Sequence, residues 1–234
     1  ELKKDINKIQ KKIKFFPEES RKLLESWIDS ISIDWPISRR RFYATSIPLW
    51  YSDSNNLTAI PLPGRYYQPW KESPPEKAEV IKNGKVVGKV KDFKGKKWKG
   101  EKRVFDTWFD SSISELFIIK YKKNNEFFKK AYPVTLRPQG KEIVRTWLYY
   151  TILRGYLETN KPCFQEAWIH HHITDEKGRK MSKSLGNIID PQEILKEFGA
   201  ESLRLWAAIE GDLSKQDLSC SKEKIRAELK TLNK

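Results

Sequence analysis

Cysteine is nearly absent from this 234-residue sequence, and long apolar runs are missing from it. The two cysteines, Cys163 and Cys220, lie far apart and form no C-x-x-C pair, so we expect free thiols rather than a structural zinc site or a disulfide framework. No apolar stretch approaches the length needed to cross a bilayer, and the basic start lacks the apolar core of a signal peptide. These absences predict a soluble, cytoplasmic protein with no membrane partner.

Positive charge is what the sequence has in excess, with a formal net charge of +15. Lysine and arginine that neutralise phosphates release condensed counterions, so this charge predicts a polyanionic partner. A lysine-rich protein without such a partner would have the same net charge. Charge alone therefore leaves both interpretations open.

The most informative segment runs from Gly178 to Asn187 and reads Gly-Arg-Lys-Met-Ser-Lys-Ser-Leu-Gly-Asn. An apolar, β-branched stretch ending at Ile173 precedes it, and a helical pattern beginning at Pro191 follows, so we expect a loop at the carboxyl end of a strand. Ligands bind at that edge in open α/β sheets. Lysine ammonium groups suit phosphate and serine hydroxyls add donors, which favours a site for ATP. A solvated basic turn is the alternative for an isolated K-x-x-K loop.

The segment resembles the second signature of class I aminoacyl-tRNA synthetases, and three further blocks narrow the resemblance to the archaeal-type valyl-tRNA synthetases. These blocks have the order and spacing of that family: Asp34–Arg41, Phe105–Ser112 and Leu136–Trp147. The similarity covers nearly the whole chain and is weakest between Ser52 and Lys102. Isoleucyl and leucyl enzymes share some of these blocks in looser form, so an isoleucyl-tRNA synthetase stays as a less favoured alternative.

The resemblance implies an α/β fold, namely the second half of a Rossmann-type class I catalytic domain with a small β-rich insert and the start of an α-helical region. The expected domains are residues 1–50 as a connective segment returning from an editing insertion, 51–103 as the β-rich insert, 104–211 as the second half of the Rossmann domain with the signature loop, and 212–234 as the start of the helical stem and anticodon-binding region.

Local patterns predict several elements within this fold. They are a helix over Glu18–Ser30, a hairpin over Val80–Val90 turning at Asn83-Gly84, a helix over Glu142–Glu158, a strand over Trp168–Ile173, helices from Pro191 and Ala200, and a last helix over Ser221–Asn233 with Ser221 as its N-cap.

The resemblance also assigns roles within the signature loop. It implies that Lys183 contacts the ATP phosphates directly and that Lys180 supports it, which makes these two lysines the catalytic candidates. Donors placed where charge develops stabilise a transition state more than a ground state. The implied ATP-binding set is Lys180, Met181, Ser182, Lys183 and Ser184.

A pocket for valine must be apolar and tight, because one methylene changes binding by only about 1 to 3 kcal/mol. By resemblance, Trp108, Ile143 and Trp147 line this pocket. Ile143 and Trp147 are four residues apart, which predicts one shared helix face. An aromatic side chain on a buried helix face is otherwise core packing. Further candidates close to the substrate are Asp106, Gln139 and Gly140, and a capping role is the alternative for Asp106.

The histidines depart from the family pattern. The first signature, His-x-Gly-His, is absent, and the only histidines are the consecutive His170, His171 and His172. Family members place glycine where His171 stands, close to the adenine. Successive residues of a strand alternate faces, so the three rings do not converge as metal ligands. Relatives bind zinc through paired cysteines near residues 52–54, but this chain has Ser52-Asp53-Ser54, so we predict no metal site.

The expected function follows from these matches. As part of a valine–tRNA ligase, the chain would activate valine with ATP, accompanied by Mg²⁺, to valyl-adenylate and transfer it to tRNA(Val). We expect a piece or a subunit that is inactive alone, and whose partners include the amino-terminal catalytic half and the editing domain. The alternative is a non-catalytic fragment or paralogue that binds nucleotide or RNA.

Overall fold

The computed structural model describes residues 2–41, 43–52, 56–212 and 217–233, and the chain divides into two compact units. The first unit comprises Glu1–Ser32 and Ser112–Lys234, and the second comprises Ile33–Ser111. The helices are α1 Leu2–Gln10, α2 Arg21–Ser30, α3 Thr107–Ser111, α4 Ser114–Ile118, α5 Asn125–Ala131, α6 Tyr149–Thr159, α7 Pro191–Glu210 and α8 Lys222–Leu232. The strands are β1 Lys14–Phe16, β2 Ser38–Arg39, β3 Trp50–Ser52, β4 Leu57–Ile60, β5 Glu79–Lys82, β6 Lys85–Lys89, β7 Trp98–Gly100, β8 Val104–Phe105, β9 Val134–Gly140, β10 Phe164–His170, β11 Ile173–Thr174 and β12 Leu218–Ser219.

A parallel sheet in the order β1-β10-β9 organises the first unit. Strands β9 and β10 pair up to Gly140 and His170, so both strands end at the same edge. Parallel neighbours need a crossover connection, and α6 lies within it. The predicted α/β fold is confirmed by this topology. The apolar residues that are almost fully buried in this unit include Ile6, Ile13, Phe15, Leu24, Ile28, Leu148, Ile152, Phe164 and Ile169.

The strand predicted over Trp168–Ile173 was wrong in both boundaries. Strand β10 starts at Phe164 and ends at His170, and Ile173 belongs to the separate strand β11. Gln165 and Glu166 obscured the start, because they occupy the less buried positions of a strand whose Phe164 is fully buried. Only His170 of the three histidines therefore lies on a strand.

The helix predicted over Glu142–Glu158 is irregular in its first part. A 3-10 turn over Lys141–Ile143 leads into a π-helical turn over Val144–Leu148, and regular α-helix begins at Tyr149. The helix lies where the sequence predicts it. Its first turns, which carry the candidate pocket residues, do not have the α-helical period that the prediction assumed. π-Helical turns inside helices occur frequently at functional sites.

The other helices of the first unit follow their sequence signals closely. The helix predicted from Glu18 opens with a 3-10 turn and becomes α2 at Arg21. Helix α7 covers both helices predicted from Pro191 and Ala200, with a kink at Gly199, where φ is +78°. The oxygen of Ser221 accepts a hydrogen bond from the Lys224 N–H at 3.2 Å, which confirms the predicted N-cap.

An antiparallel five-stranded sheet in the order β6-β5-β4-β3-β7 forms most of the second unit. Its β5–β6 hairpin turns at Asn83 and Gly84, whose φ angles of +50° and +76° suit a type I′ turn, as the sequence predicts. Trp50 is fully buried in this unit, and its Nε1 donates to the Glu72 carbonyl at 2.7 Å. The predicted β-rich region is thereby confirmed, while its place as an insert with boundaries at 51 and 103 stays a prediction.

No described helix is long and apolar enough to span a bilayer. Cys163 and Cys220 are both buried and are not joined in a disulfide.

Candidate active site

The signature loop follows the sheet edge at which β9 and β10 end. After His170 the chain passes through β11, whose last residue, Thr174, forms an antiparallel bridge with Lys180. Helix α7 begins at Pro191, with the Asp190 carboxylate accepting the Gln192 N–H at 2.8 Å. The predicted succession of strand, loop and helix is therefore confirmed, although β11 lies between the sheet and the loop.

The carboxylate of Asp175 organises the first turn of the loop. Its Oδ1 accepts the backbone N–H groups of Lys177 and Arg179 at 3.0 and 2.8 Å. Its Oδ2 accepts the Arg179 Nε–H at 2.8 Å. The hydrogen bond from the Asn187 side chain, followed by those from Arg179, holds the pKa of Asp175 well below its ordinary value. The carboxylate is thus ionised at neutral pH and fixed in place.

Asn187 fastens the end of the loop to its beginning. Its Nδ2 donates to Asp175 Oδ2 at 2.9 Å and to the Lys180 carbonyl at 3.3 Å. Its Oδ1 accepts the backbone N–H of Ser182 at 3.0 Å. One amide side chain therefore connects two points of the loop backbone with the carboxylate that supports the loop.

The serines of the loop shape a short 3-10 turn over Lys183–Leu185. The Ser182 Oγ accepts the Leu185 N–H at 3.3 Å and lies 3.2 Å from the Ser184 Oγ. Gly186 ends this turn with a φ of +63°, a conformation that favours glycine.

The charged side chains of the loop are exposed, whereas its methionine is anchored. Lys180 and Lys183 are both exposed. Met181 is half-buried and packs against an apolar cluster formed by α7, α8 and the segment before α8. This packing fixes the loop between its two lysines and leaves their ammonium groups accessible to a ligand. The buried members of the cluster are Ile194, Phe198, Trp206, Cys220 and Ile225.

A cavity of about 260 Å³ adjoins the loop. Its lining includes Asp175, Arg179 and Asn187 from the loop and Ile189 and Cys220 from the segments before α7 and α8. The residues that brace the loop, Asp175 and Asn187, therefore also line this cavity.

Ile143 and Trp147, the candidate pocket residues of the first unit, are both half-buried. Ile143 closes the 3-10 turn and Trp147 lies in the π-helical turn, so the argument from α-helical spacing was wrong. The guanidinium carbon of Arg137 lies only 3.2 Å from the ring centroid of Trp147. A wall shared by Ile143 and Trp147 stays a prediction.

Trp108 and Asp106 belong to the second unit. Trp108 is half-buried in α3. The buried Asp106 accepts the Trp108 N–H at 2.8 Å through Oδ1, and its Oδ2 lies 2.6 Å from Arg39 Nη2. The carboxylate thus caps the start of α3, as the capping alternative expects. A substrate contact of Asp106 stays a prediction.

Gln139 is the most unusual polar residue of the site. It is 4% exposed, and neither its amide oxygen nor its amide nitrogen has a hydrogen-bond partner within residues 2–41, 43–52, 56–212 and 217–233. An unpaired buried group costs about 1 to 3 kcal/mol, so a ligand that supplies partners would recover this free energy. At the neighbouring Gly140, an added methyl group would overlap the Glu142 carboxylate.

His171 and His172 lie near acidic groups. The backbone N–H of His172 donates to Asp217 Oδ1 at 3.1 Å, and His171 Nδ1 lies 3.9 Å from the same oxygen. Lys141 pairs with Asp217 and is the main reason that the pKa of Asp217 is lowered. Among the described residues, no group of three or more histidine, cysteine or acidic residues is placed to hold a metal ion. The prediction that no zinc is bound near residues 52–54 rests partly on Asp53 and Ser54, which lie outside the described residues.

Comparison with known proteins places the chain in a family. The family model described as "tRNA synthetases class I (I, L, M and V)" matches residues 1–220. The chain belongs to this family.

Two curated relatives of this class I synthetase chain come from archaea. It is 46% identical to the valine–tRNA ligase of Aeropyrum pernix over 91% of its length, and 46% identical to that of Nanoarchaeum equitans over 100%. It spans only 25% and 29% of the lengths of these two relatives.

Solved structures of the family share the fold of this synthetase chain. A LeuRS–tRNA–LeuAMS ternary complex from Agrobacterium radiobacter K84 superposes with a TM-score of 0.61 at 20% identity, covering 86% of this chain and 27% of the other. Methionyl-tRNA synthetase of Mycobacterium tuberculosis in complex with methionyl-adenylate gives a TM-score of 0.57 at 20% identity, covering 98% of this chain and 35% of the other.

Sequence reasoning missed two residues of this candidate site. Asp175 and Asn187 hold the signature loop, yet neither was among the candidates. A signal existed, because aspartate before a Lys-Gly-Arg turn commonly accepts backbone N–H groups two residues ahead. The sequence pattern gives Asn187 no role beyond ending the signature motif. Its reach back to Asp175 is a long-range contact that spacing does not reveal.

Proposed function

We propose that this chain forms the carboxyl-proximal part of the active site of a valine–tRNA ligase. The observation that carries the proposal is the braced signature loop, in which Asp175 and Asn187 fix the backbone while Lys180 and Lys183 remain exposed. The valine carboxylate would attack the α-phosphorus of ATP to give valyl-adenylate and pyrophosphate. The terminal ribose hydroxyl of tRNA(Val) would then attack the valyl carbonyl and release AMP.

In this proposal, Lys183 contacts the phosphates and Lys180 supports it. Negative charge that builds up on the pyrophosphate leaving group during adenylate formation is met by these two ammonium groups, which need little reorganisation because the loop is already braced. Ser182 and Ser184 donate hydrogen bonds to the nucleotide, and Met181 anchors the loop through its apolar contacts. Mg²⁺ would enter as the complex with ATP.

Valine recognition is proposed for Trp108, Ile143 and Trp147. All three are half-buried apolar side chains, which suits a small branched substrate. Gln139 would offer its unpaired amide to the aminoacyl-adenylate, and Gly140 would allow close approach. Asp106 would hold Trp108 in place through its cap.

The partners of the proposed enzyme are valine, ATP, tRNA(Val), the amino-terminal catalytic half with His-x-Gly-His, and the editing domain. The net charge of +15 supports a polyanionic partner. The proposed domain boundaries are 1–50, 51–103, 104–211 and 212–234, and the proposed location is the cytoplasm.

Valine-dependent exchange of pyrophosphate into ATP tests the proposal. The chain is assayed alone and again with the amino-terminal half of an archaeal valine–tRNA ligase, and isoleucine replaces valine in a parallel series. Exchange with valine only in the mixture is the expected result. Exchange driven better by isoleucine would contradict the substrate, and its absence with both pieces folded would favour the binding-only alternative.

A matched pair of variants tests the loop. Lys183→Ala should remove most of the exchange rate while leaving valine binding largely intact, because the lost ammonium acts on phosphate. Lys196→Ala in α7 changes an exposed lysine outside the loop and should leave the rate unchanged. Equal rates for both variants would show that the loop does not act as proposed.

A further inference from the structure

Arg137 is an arginine placed almost wholly inside the protein. It is 9% exposed, and its guanidinium carbon lies 3.2 Å from the ring centroid of Trp147 and 5.1 Å from that of Phe164. A guanidinium plane stacks on an indole ring more favourably than an ammonium group does, through cation–π attraction and flat contact. The Trp147 ring therefore rests against a charged, planar neighbour.

The polar atoms of Arg137 are only partly satisfied. Its Nη2 donates to the Thr151 Oγ1 at 3.3 Å, and Thr151 in turn donates to the Trp147 carbonyl at 2.6 Å. Its Nε is buried without a hydrogen-bond partner among the described residues. Hydrogen bonding alone does not account for an arginine at this position, whereas its contact with the Trp147 ring does.

A second charged group lies in the same interior region. Glu115 is 3% exposed, and neither of its carboxylate oxygens has a hydrogen-bond partner in the described part of the chain. Burial raises the pKa of Glu115 to about 7, against the opposing charges of Arg137 and Arg154. Burial lowers the pKa of Arg137 to about 10, and Glu115 opposes that shift. Replacing buried charges by apolar side chains is often neutral or stabilising, so global stability does not explain why an arginine stands here.

We propose that Arg137 is a positioning residue that fixes the Trp147 ring and thereby sets how well the amino-acid pocket separates valine from isoleucine. This inference rests on the proposed function, in which Trp147 is a wall of that pocket. A pocket wall that excludes one additional methylene must not move by the width of a methylene, and a guanidinium over the Trp147 ring restricts the tilt of that ring.

Two variants of Arg137 and one control separate positioning from stability. Arg137→Lys keeps the positive charge and loses the planar guanidinium group. Arg137→Met keeps a side chain of similar length and loses both the charge and the hydrogen-bond donors. The matched control is Arg21→Lys, because Arg21 also stacks on a buried ring, that of Phe15 at 4.7 Å, and donates to the Gln10 and Ile13 carbonyls. Each variant is assayed by pyrophosphate exchange with valine and with isoleucine, in the mixture with the amino-terminal half.

The expected result is a rise in KM for valine and a fall of about tenfold in the valine-to-isoleucine ratio of kcat/KM for both Arg137 variants, with KM for ATP unchanged. Arg21→Lys should leave the ratio unchanged. In the double variant with Trp147→Phe, the effect of Arg137→Met on the ratio should shrink, because interacting residues are not additive. If Arg137→Lys does not fold, Arg137→Met decides the question, because methionine adds no charge of its own and Glu115, whose pKa burial already raises to about 7, can become neutral by taking up a proton.

An unchanged ratio in Arg137→Met, or an equal change in Arg21→Lys, would overturn the inference. Full additivity with Trp147→Phe would overturn it as well. Failure of the proposed function has a different readout, namely no valine-dependent exchange in the unmutated mixture. That result would remove the basis of the inference.

Discussion

The side-chain amide of Asn187 donates a 2.9 Å hydrogen bond to the carboxylate of Asp175, twelve residues earlier in the chain. This bond closes the signature loop into a ring, with the lysines of the loop exposed between its two ends. A phosphate-binding loop that is already ordered has less conformational entropy to lose when the nucleotide binds. The pair thus links the shape of the loop to its proposed chemistry.

Replacing Asn187 by alanine should loosen the loop, because the Asp175 carboxylate, the Lys180 carbonyl and the Ser182 N–H each lose a partner. We expect faster tryptic cleavage after Arg179 and Lys180 in the chain alone. In the mixture with the amino-terminal half, we expect roughly a tenfold or greater loss of exchange rate, since misplacement by about 1 Å can cost a factor of about 100.

The matched control for this change is Asn125→Ala, which alters an exposed asparagine in α5. Cleavage within the loop should be unaffected in that variant. Equal cleavage rates in Asn187→Ala and in the unmutated chain would show that the amide does not brace the loop.

Glu115→Gln should stabilise the first unit at alkaline pH. Burial raises the pKa of Glu115 from 4.5 to about 7, so the folded state holds a proton that the unfolded state releases. The free energy of unfolding should therefore fall as pH rises from 4.5 through 7, by roughly 3 to 4 kcal/mol at about 1.4 kcal/mol per unit of pKa difference. Glutamine cannot ionise, so the variant should lack this fall. Urea unfolding at pH 5 and pH 8.5 measures it, and parallel changes in both proteins would refute the assignment.

Glu101→Gln should have the opposite pH signature in the second unit. The Glu101 carboxylate pairs with Arg103 Nη2 at 2.5 Å and accepts the Tyr51 hydroxyl at 3.0 Å, and the bond to Arg103 is the main reason that its pKa is lowered from 4.5 to about 2. The stabilisation that the Glu101 carboxylate gives to the second unit is present above pH 4.5 and is lost as pH falls toward 2.

Glutamine should cost roughly 1 to 3 kcal/mol at pH 7, because the charge-assisted hydrogen bonds weaken. The difference between Glu101→Gln and the unmutated chain should shrink in acid, where the native carboxyl becomes protonated. Unfolding followed by near-ultraviolet circular dichroism at pH 7, 4 and 2.5 checks this. A difference that stays constant with pH would count against the ionic role.

Gly100→Ala should destabilise the second unit strongly. A methyl group at this position would overlap the backbone carbonyl of Pro69, and backbone atoms cannot turn aside as a flexible side chain does. We expect a loss of about 2 kcal/mol or more, as in other overpacked sites. Gly64→Ala is the control, because nothing lies within 4 Å of the added methyl group there. Equal melting temperatures for the two variants would contradict the close approach.

Much of the fold was predictable from local patterns. The Asn83-Gly84 pair predicts its own turn because both residues tolerate positive φ, and Ser221 predicts a helix start because its oxygen replaces a missing backbone partner. The strand predicted over Trp168–Ile173 begins four residues too late, because Gln165 and Glu166 break the apolar pattern, and it ends three residues too late. A periodic pattern indicates which face of a strand is buried, but it does not indicate where the pairing of that strand with its neighbours ends.

The sequence by itself determined the family of this chain, its alternation of strands and helices, and the chemical character of its signature loop, because these depend on residue types at short spacings. Only the tertiary structure decided that Asn187 reaches Asp175, that Met181 packs on the α7 and α8 cluster, and that Arg137 stacks on Trp147. The π-helical turn carrying Trp147 also came from the structure alone. Such contacts join distant parts of the chain, so their geometry is set by how whole elements pack rather than by any local pattern.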